Sequence, residues 1–136
     1  MLADRFMPHI IVQRSTSMTD TDRQPLADAP AGDLIRQHAD NRLGAVYSAL
    51  YSFWCARNAA VTAGQRAAGA RRDAYSVVLF DEETKNVLVN DFTSTPDELL
   101  ASVLIERPTF GTNFTAALGA AGAVMTQNWS TERPVI

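Results

Sequence analysis

Buried-strand patterns and helix-period patterns alternate along the chain, and together they predict an α/β domain. Residues 9–13 contain Ile-Ile-Val, which is typical of a short buried strand. Residues 75–80 form a second such run, and residues 86–90 return after the polar turn at 81–85. Because the connection between these two β-rich runs is short, the pattern predicts an antiparallel hairpin.

Three segments carry apolar residues at helical spacing. The first follows Asp40 or Asn41, either of which can cap a helix. Its apolar positions are Leu43, Val46, Tyr47, Leu50 and Trp54. The second begins with a capping box, in which Thr95 is the cap, Pro96 the first helical residue and Glu98 the return partner.

The third helix follows a turn at residues 108–113. Its apolar positions are Phe114, Ala117, Leu118, Ala121, Val124 and Met125. Residues 134–136 then predict the start of another buried strand. The order strand, helix, hairpin, helix, helix, strand is that of an open α/β sheet, in which ligand sites gather at the carboxyl ends of the strands.

Two segments interrupt this order, and a single domain over residues 1–136 is predicted around them. Residues 15–40 read as a long polar loop, with one helical turn near Leu34 and Ile35. Residues 63–72 are rich in alanine and glycine and read as a flexible linker loop.

Composition narrows the function classes. The chain has a hydrophobic fraction of 46% and a net charge of −3, so it is globular and has no general attraction to nucleic acid or acidic membranes. The N-terminus lacks an apolar signal core, no segment is long enough to span a bilayer, and Cys55 has no disulfide partner. These features favour a cytoplasmic location. Motifs for phosphate-loop or nucleophilic catalysis are absent, so the protein is not expected to be an enzyme.

The candidate chemistry lies in two hydroxyl-bearing segments. Ser15-Thr16-Ser17 follows the first strand, and Gly111-Thr112 precedes the third helix. The hydroxyl oxygens of Ser15, Ser17 and Thr112 are ligands that hard cations such as Mg²⁺ accept. Thr112 also admits a second interpretation, as a simple helix cap.

These segments, in this order, resemble the von Willebrand factor A (vWA) domain, also called the integrin I-type domain. The metal-ion-dependent adhesion site of that family begins with Asp-x-Ser-x-Ser, which here reads Gln13-Arg14-Ser15-Thr16-Ser17. Thr112 matches the family's threonine, and residues 41–54 and 91–96 are similar to intracellular, fungal-type members.

The resemblance implies a Rossmann-like sheet, mostly parallel with one antiparallel edge hairpin, helices on both faces and the final strands missing. It also implies a Mg²⁺ or Mn²⁺ ion held by Ser15, Ser17 and Thr112, with an acidic residue of a protein partner completing the coordination. Here Gln13 replaces the first aspartate and the last aspartate is absent, so metal binding is expected to be weak or lost. Asp20 and Asp22 are the nearby carboxylates that could substitute.

The sequence therefore predicts a non-catalytic protein–protein interaction module with a degenerate adhesion site. One alternative is a small α/β enzyme fragment that binds a nucleotide or phosphate at the Gly111-Thr112 helix start. Another is an inactive truncated product that exposes a sheet edge and tends to associate.

Overall fold

A computed structural model describes residues 6–26, 28–64, 73–106, 111–128 and 133–135. The elements follow in the order β1 (Phe6–Gln13), a 3-10 turn (Thr16–Thr19), α1 (Gly32–His38), α2 (Arg42–Gly64), β2 (Tyr75–Phe80), β3 (Thr84–Asp91), α3 (Pro96–Leu104), α4 (Phe114–Asn128) and β4 (Arg133–Val135).

The described strands form one sheet in the order β3-β2-β1-β4. β1 pairs in parallel with both β2 and β4, while β3 runs antiparallel to β2 at the edge. This arrangement confirms the predicted α/β class with its antiparallel edge hairpin. Since β2 lies on one side of β1 and the later strand β4 on the other, the strand order reverses at β1, where open α/β sheets place their ligand sites.

The main core lies on one face of the sheet. Alternate residues of β2 point to opposite faces, and Tyr75, Val77 and Leu79 belong to a buried cluster with Trp54 of α2 and Leu100 of α3. On the other face, α4 contacts β1, β2 and β3. There the ring of Phe80 lies 5.2 Å from that of Phe114. Helices therefore cover both faces, as predicted.

The starts of α2 and α3 follow the predicted capping chemistry. Thr95 Oγ1 accepts a hydrogen bond from the Glu98 amide at 3.3 Å, and Glu98 Oε1 accepts one from the Thr95 amide at 3.2 Å. Both halves of the predicted capping box are thus present. At the start of α2, Asn41 Oδ1 accepts from the Gly44 amide at 3.1 Å, so Asn41 rather than Asp40 caps this helix.

The element bounds differ from the prediction in several places. β3 covers Thr84–Asp91 rather than residues 86–90, because Thr84 and Lys85 pair with the end of β2. β1 begins at Phe6 rather than at residue 9, because its early residues pair with β4. The segment predicted as a loop over residues 15–40 contains the 3-10 turn and α1. α1 is stabilised by Ile35, which is fully buried in the main core. The predicted linker starts inside α2, which continues to Gly64, and its residues 65–72 lie outside the described part of the chain.

Tyr47 of α2 carries a buried hydroxyl that has no hydrogen-bond partner among the described residues. Burial is the main cause that raises the pKa of this phenol above its ordinary value of 10.0, and the negative charge of Glu106 adds to it. The side chain therefore favours its neutral form in the folded state.

Tyr47→Phe is expected to leave the free energy of unfolding at neutral pH unchanged or to raise it by about 1 kcal/mol, because an unsatisfied polar group is removed. Above pH 10 the unfolded wild type releases the phenol proton while the folded state keeps it, so stability falls as pH rises. The free energy of unfolding of the variant should fall less steeply with pH than that of the wild type, and the two slopes should differ by at most about 1.4 kcal/mol per pH unit. Urea titrations at neutral pH and at several alkaline pH values measure both effects. Equal pH slopes for the two proteins would contradict a raised pKa of Tyr47 in the folded state.

Candidate functional site

The structure brings the three predicted hydroxyl residues together around the side chain of Gln13. Ser15, Ser17 and Thr112 are called the hydroxyl cluster below. Gln13 Nε2 donates to Ser15 Oγ at 2.5 Å and to Thr112 Oγ1 at 3.4 Å, across 99 positions of sequence. Ser15 Oγ and Ser17 Oγ are 3.1 Å apart and share a hydrogen bond. The two segments singled out in the sequence thus form one polar site.

The end of β1 positions the first half of this site. β1 finishes at Gln13, and the chain turns at once into the 3-10 turn, which Met18 closes by donating to the Ser15 carbonyl at 2.9 Å. Ser15 is buried, whereas Ser17 faces solvent. The turn therefore holds two hydroxyls at different depths on the carboxyl edge of the sheet.

Thr112 reaches the site because the chain bends sharply before α4. Gly111 has φ of +88°, a conformation that glycine adopts without strain. The Asn113 amide then donates to the Asp81 carbonyl at 2.6 Å, which ties this turn to the end of β2. Asn113 Oδ1 accepts from the Ala116 amide at 3.0 Å and caps α4, so the interpretation of Thr112 as the helix cap is wrong. The exposed Thr112 hydroxyl instead accepts from Gln13.

A charge network that the sequence reasoning missed lies behind the hydroxyl cluster. Arg14 Nε is 2.8 Å from Asp81 Oδ2, and its Nη1 is 3.1 Å from Glu106 Oε2. Lys85 Nζ lies 2.6 Å from the other oxygen of Glu106. The Asp81 and Glu106 side chains are only 4% and 9% exposed, so their charges need compensation, which Arg14 supplies to both and Lys85 to Glu106.

The signal for this network was present in the sequence. Arg14 and Asp81 each follow directly after a buried strand, and parallel neighbouring strands end at the same edge. The prediction that Asp81 belongs to the hairpin turn is confirmed, because its Oδ1 accepts from the Glu83 amide at 2.8 Å.

The two carboxylates considered as substitutes are engaged elsewhere. Asp22 receives two hydrogen bonds from Arg42, at 2.6 and 2.9 Å, and Asp20 Oδ2 lies 3.5 Å from the same guanidinium. The hydrogen bond with Arg42 lowers the pKa of the Asp22 carboxyl. These contacts hold both acids at the start of α2.

The hydroxyl cluster does not fit a divalent cation. Its three oxygens are neutral, and the amide at its centre is a donor, whereas Mg²⁺ and Mn²⁺ take oxygen ligands that include carboxylates. Within the ranges that the structure describes, no group of three or more His, Cys, Asp or Glu side chains could hold a metal ion.

Known structures share this fold. An uncharacterized membrane spanning protein from Vibrio fischeri matches with a TM-score of 0.59 and 18% identity, over 93% of this chain and 51% of that one. The vWF domain of the type V pili tip protein Mfa5 from Porphyromonas gingivalis matches with a TM-score of 0.56 and 17% identity, over 93% of this chain and 34% of that one. A structure of three N-terminal domains of the same pilus protein matches with a TM-score of 0.54 and 15% identity, over 91% of this chain and 18% of that one.

These likenesses establish a vWA-like fold for the chain. At such low identity they define the fold alone, and the chain spans about half of the first structure's length and less of the others. No protein-family model and no curated protein matches the sequence. None of the helices in the described part of the chain has both the length and the hydropathy that crossing a bilayer requires.

Proposed function

We propose that this protein is a non-catalytic, vWA-type module that binds a protein partner at the carboxyl edge of its sheet, through a degenerate adhesion site. The observation that carries the proposal is the assembly of Ser15, Ser17 and Thr112 around Gln13 at the strand-order reversal. The resemblance to intracellular, fungal-type members and a cytoplasmic location stay predictions.

The surface around the hydroxyl cluster suits a protein partner. Ser17 and Thr112 are exposed, and their hydroxyls can form hydrogen bonds with polar groups of the partner. Next to Thr112, the first turns of α4 expose two large apolar side chains, Phe114 and Leu118, which are 61% and 62% accessible. Polar groups beside exposed apolar side chains are a usual composition for an interface.

The alternative of a phosphate or nucleotide site at the start of α4 has less support. A Cβ built on Gly111 would lie 2.8 Å from Glu82 Cβ and would overlap the carboxylate of that residue. The Glu82 side chain therefore lies directly against this turn, where its negative charge would repel an anion. We therefore assign the site to protein binding and not to catalysis.

Site-specific photocrosslinking tests the proposal. A photoreactive residue at the exposed position Thr115 should crosslink a partner several-fold more than one at Asn58, which lies near the amino end of β2. In the Thr115-labelled protein, the pair of changes Ser17→Ala and Thr112→Ala should reduce that product, because it removes the exposed hydroxyl donors. Equal crosslinking at the two positions, or a product that the paired changes leave unaltered, would refute a binding edge at this site.

A further inference from the structure

We infer that the Gln13 carboxamide takes the place of the divalent cation in this site, so that hydrogen bonds organise the hydroxyl cluster without metal. This inference deepens the proposed function. It makes the carboxyl edge a constitutively formed surface whose partner binding does not depend on divalent ions.

The donor and acceptor count at Gln13 supports this assignment. A carboxamide nitrogen carries two protons, and the two contacts of Gln13 Nε2 are the hydroxyl oxygens of Ser15 and Thr112. A cation would bind these same oxygens through their lone pairs. The N–H groups of Gln13 present a partial positive charge to these oxygens in the same way. Ser15 in turn shares a hydrogen bond with Ser17. One side chain thus joins both halves of the site.

Arginines engage four of the carboxylates that the structure describes near this edge of the sheet, whereas Glu82, which lies against Gly111, is exposed to solvent. Arg14 engages Asp81 and Glu106. Arg42 engages Asp20 and Asp22. A cation entering the cluster would meet the positive edge of an amide, and the four acids held by Arg14 and Arg42 would not compensate for its desolvation.

The position of Gln13 makes the inference testable by a single substitution. Gln13→Asp would remove the donor and supply an anionic oxygen ligand beside three hydroxyls, which is a donor set that a hard cation accepts with water completing the shell. We therefore expect Gln13→Asp to gain saturable, Ser15-dependent Mn²⁺ binding that the wild type lacks. The matched control is Gln37→Asp, which makes the same chemical change at an exposed position on α1.

Mn²⁺ titration followed by electron paramagnetic resonance, with melting temperatures in Mn²⁺ and in chelator, measures this gain. Gln13→Asp alone should bind Mn²⁺ and melt at a higher temperature with the ion, and adding Ser15→Ala should abolish both effects. Saturable, Ser15-dependent Mn²⁺ binding by the wild type would overturn the inference. So would a folded Gln13→Asp protein that responds no more than Gln37→Asp.

A second variant covers the case in which Gln13→Asp does not fold. Gln13→Ala removes the donor and adds no charge, so it should melt below the wild type and remain insensitive to Mn²⁺. A Gln13→Ala protein as stable as the wild type would contradict the organising role of the amide. These readouts use the isolated protein, so a negative crosslinking experiment would refute the proposed function and leave the metal result to stand by itself.

Discussion

Gly44→Ala should destabilise the protein by about 3 kcal/mol or more, which is a large share of the stability of a domain of this size. A Cβ on Gly44 would overlap the carbonyl oxygen of Ala39 and lie 2.8 Å from its carbonyl carbon. It would also lie 3.1 Å from Pro25 Cγ. Because the nearest obstacle is backbone, no rotamer change can relieve the clash, and the junction between α1 and α2 has to move.

Gly119→Ala is the matched control for this prediction. Gly119 lies in α4, and a Cβ built there meets no atom within 4 Å. Since alanine is the better helix former, this substitution should raise the free energy of unfolding by up to about 1 kcal/mol. Urea unfolding of both variants measures the contrast, and similar losses in the two would show that Gly44 is not needed for close packing.

The second large effect is expected for Arg14→Met. Without the guanidinium, the buried carboxylate of Asp81 loses its ion pair with Arg14, while Glu106 keeps Lys85, and removing one partner of a buried ion pair costs about 3–5 kcal/mol. Adding Asp81→Asn should recover part of this loss, because it removes one buried charge and keeps the oxygen that accepts from Glu83.

The control for Arg14 is an exposed arginine with similar contacts. Arg42→Met breaks the pair with Asp22, in which the side chains are 36% and 54% exposed, so the free energy of unfolding should change little. Unfolding curves at low and high salt separate the two sites, since solvent ions screen only the exposed pair well. A loss for Arg42→Met as large as that for Arg14→Met would contradict the dependence on burial.

The sequence predicted those helix starts and strands that depend on residues close together in the chain. The Thr95 capping box and the strand at residues 75–80 appear as predicted, because each follows from residue types close together in sequence. The hydroxyl cluster was predicted through the family resemblance, and its assembly depends on a contact over 99 positions that no local pattern contains.

The remaining features depend on neighbours that only the fold supplies. Gly44 is required by the backbone of Ala39, and nothing in the helix pattern indicates that approach. α1 has a short and weak pattern, and the burial of Ile35 stabilises it. Similarly, Thr112 and Asn113 are both capping residues by type, and the bend at Gly111 decides which of them caps α4.

The central position of β1 also has a kinetic consequence. β1 must pair with β4, from the far end of the chain, and Gln13 must reach Thr112 before the carboxyl edge is complete. Contacts of such long sequence separation form slowly, because the loop entropy is lost before the pairing compensates for it. The hairpin of β2 and β3 can form early, whereas the carboxyl edge is expected among the last parts of the molecule to assemble during folding.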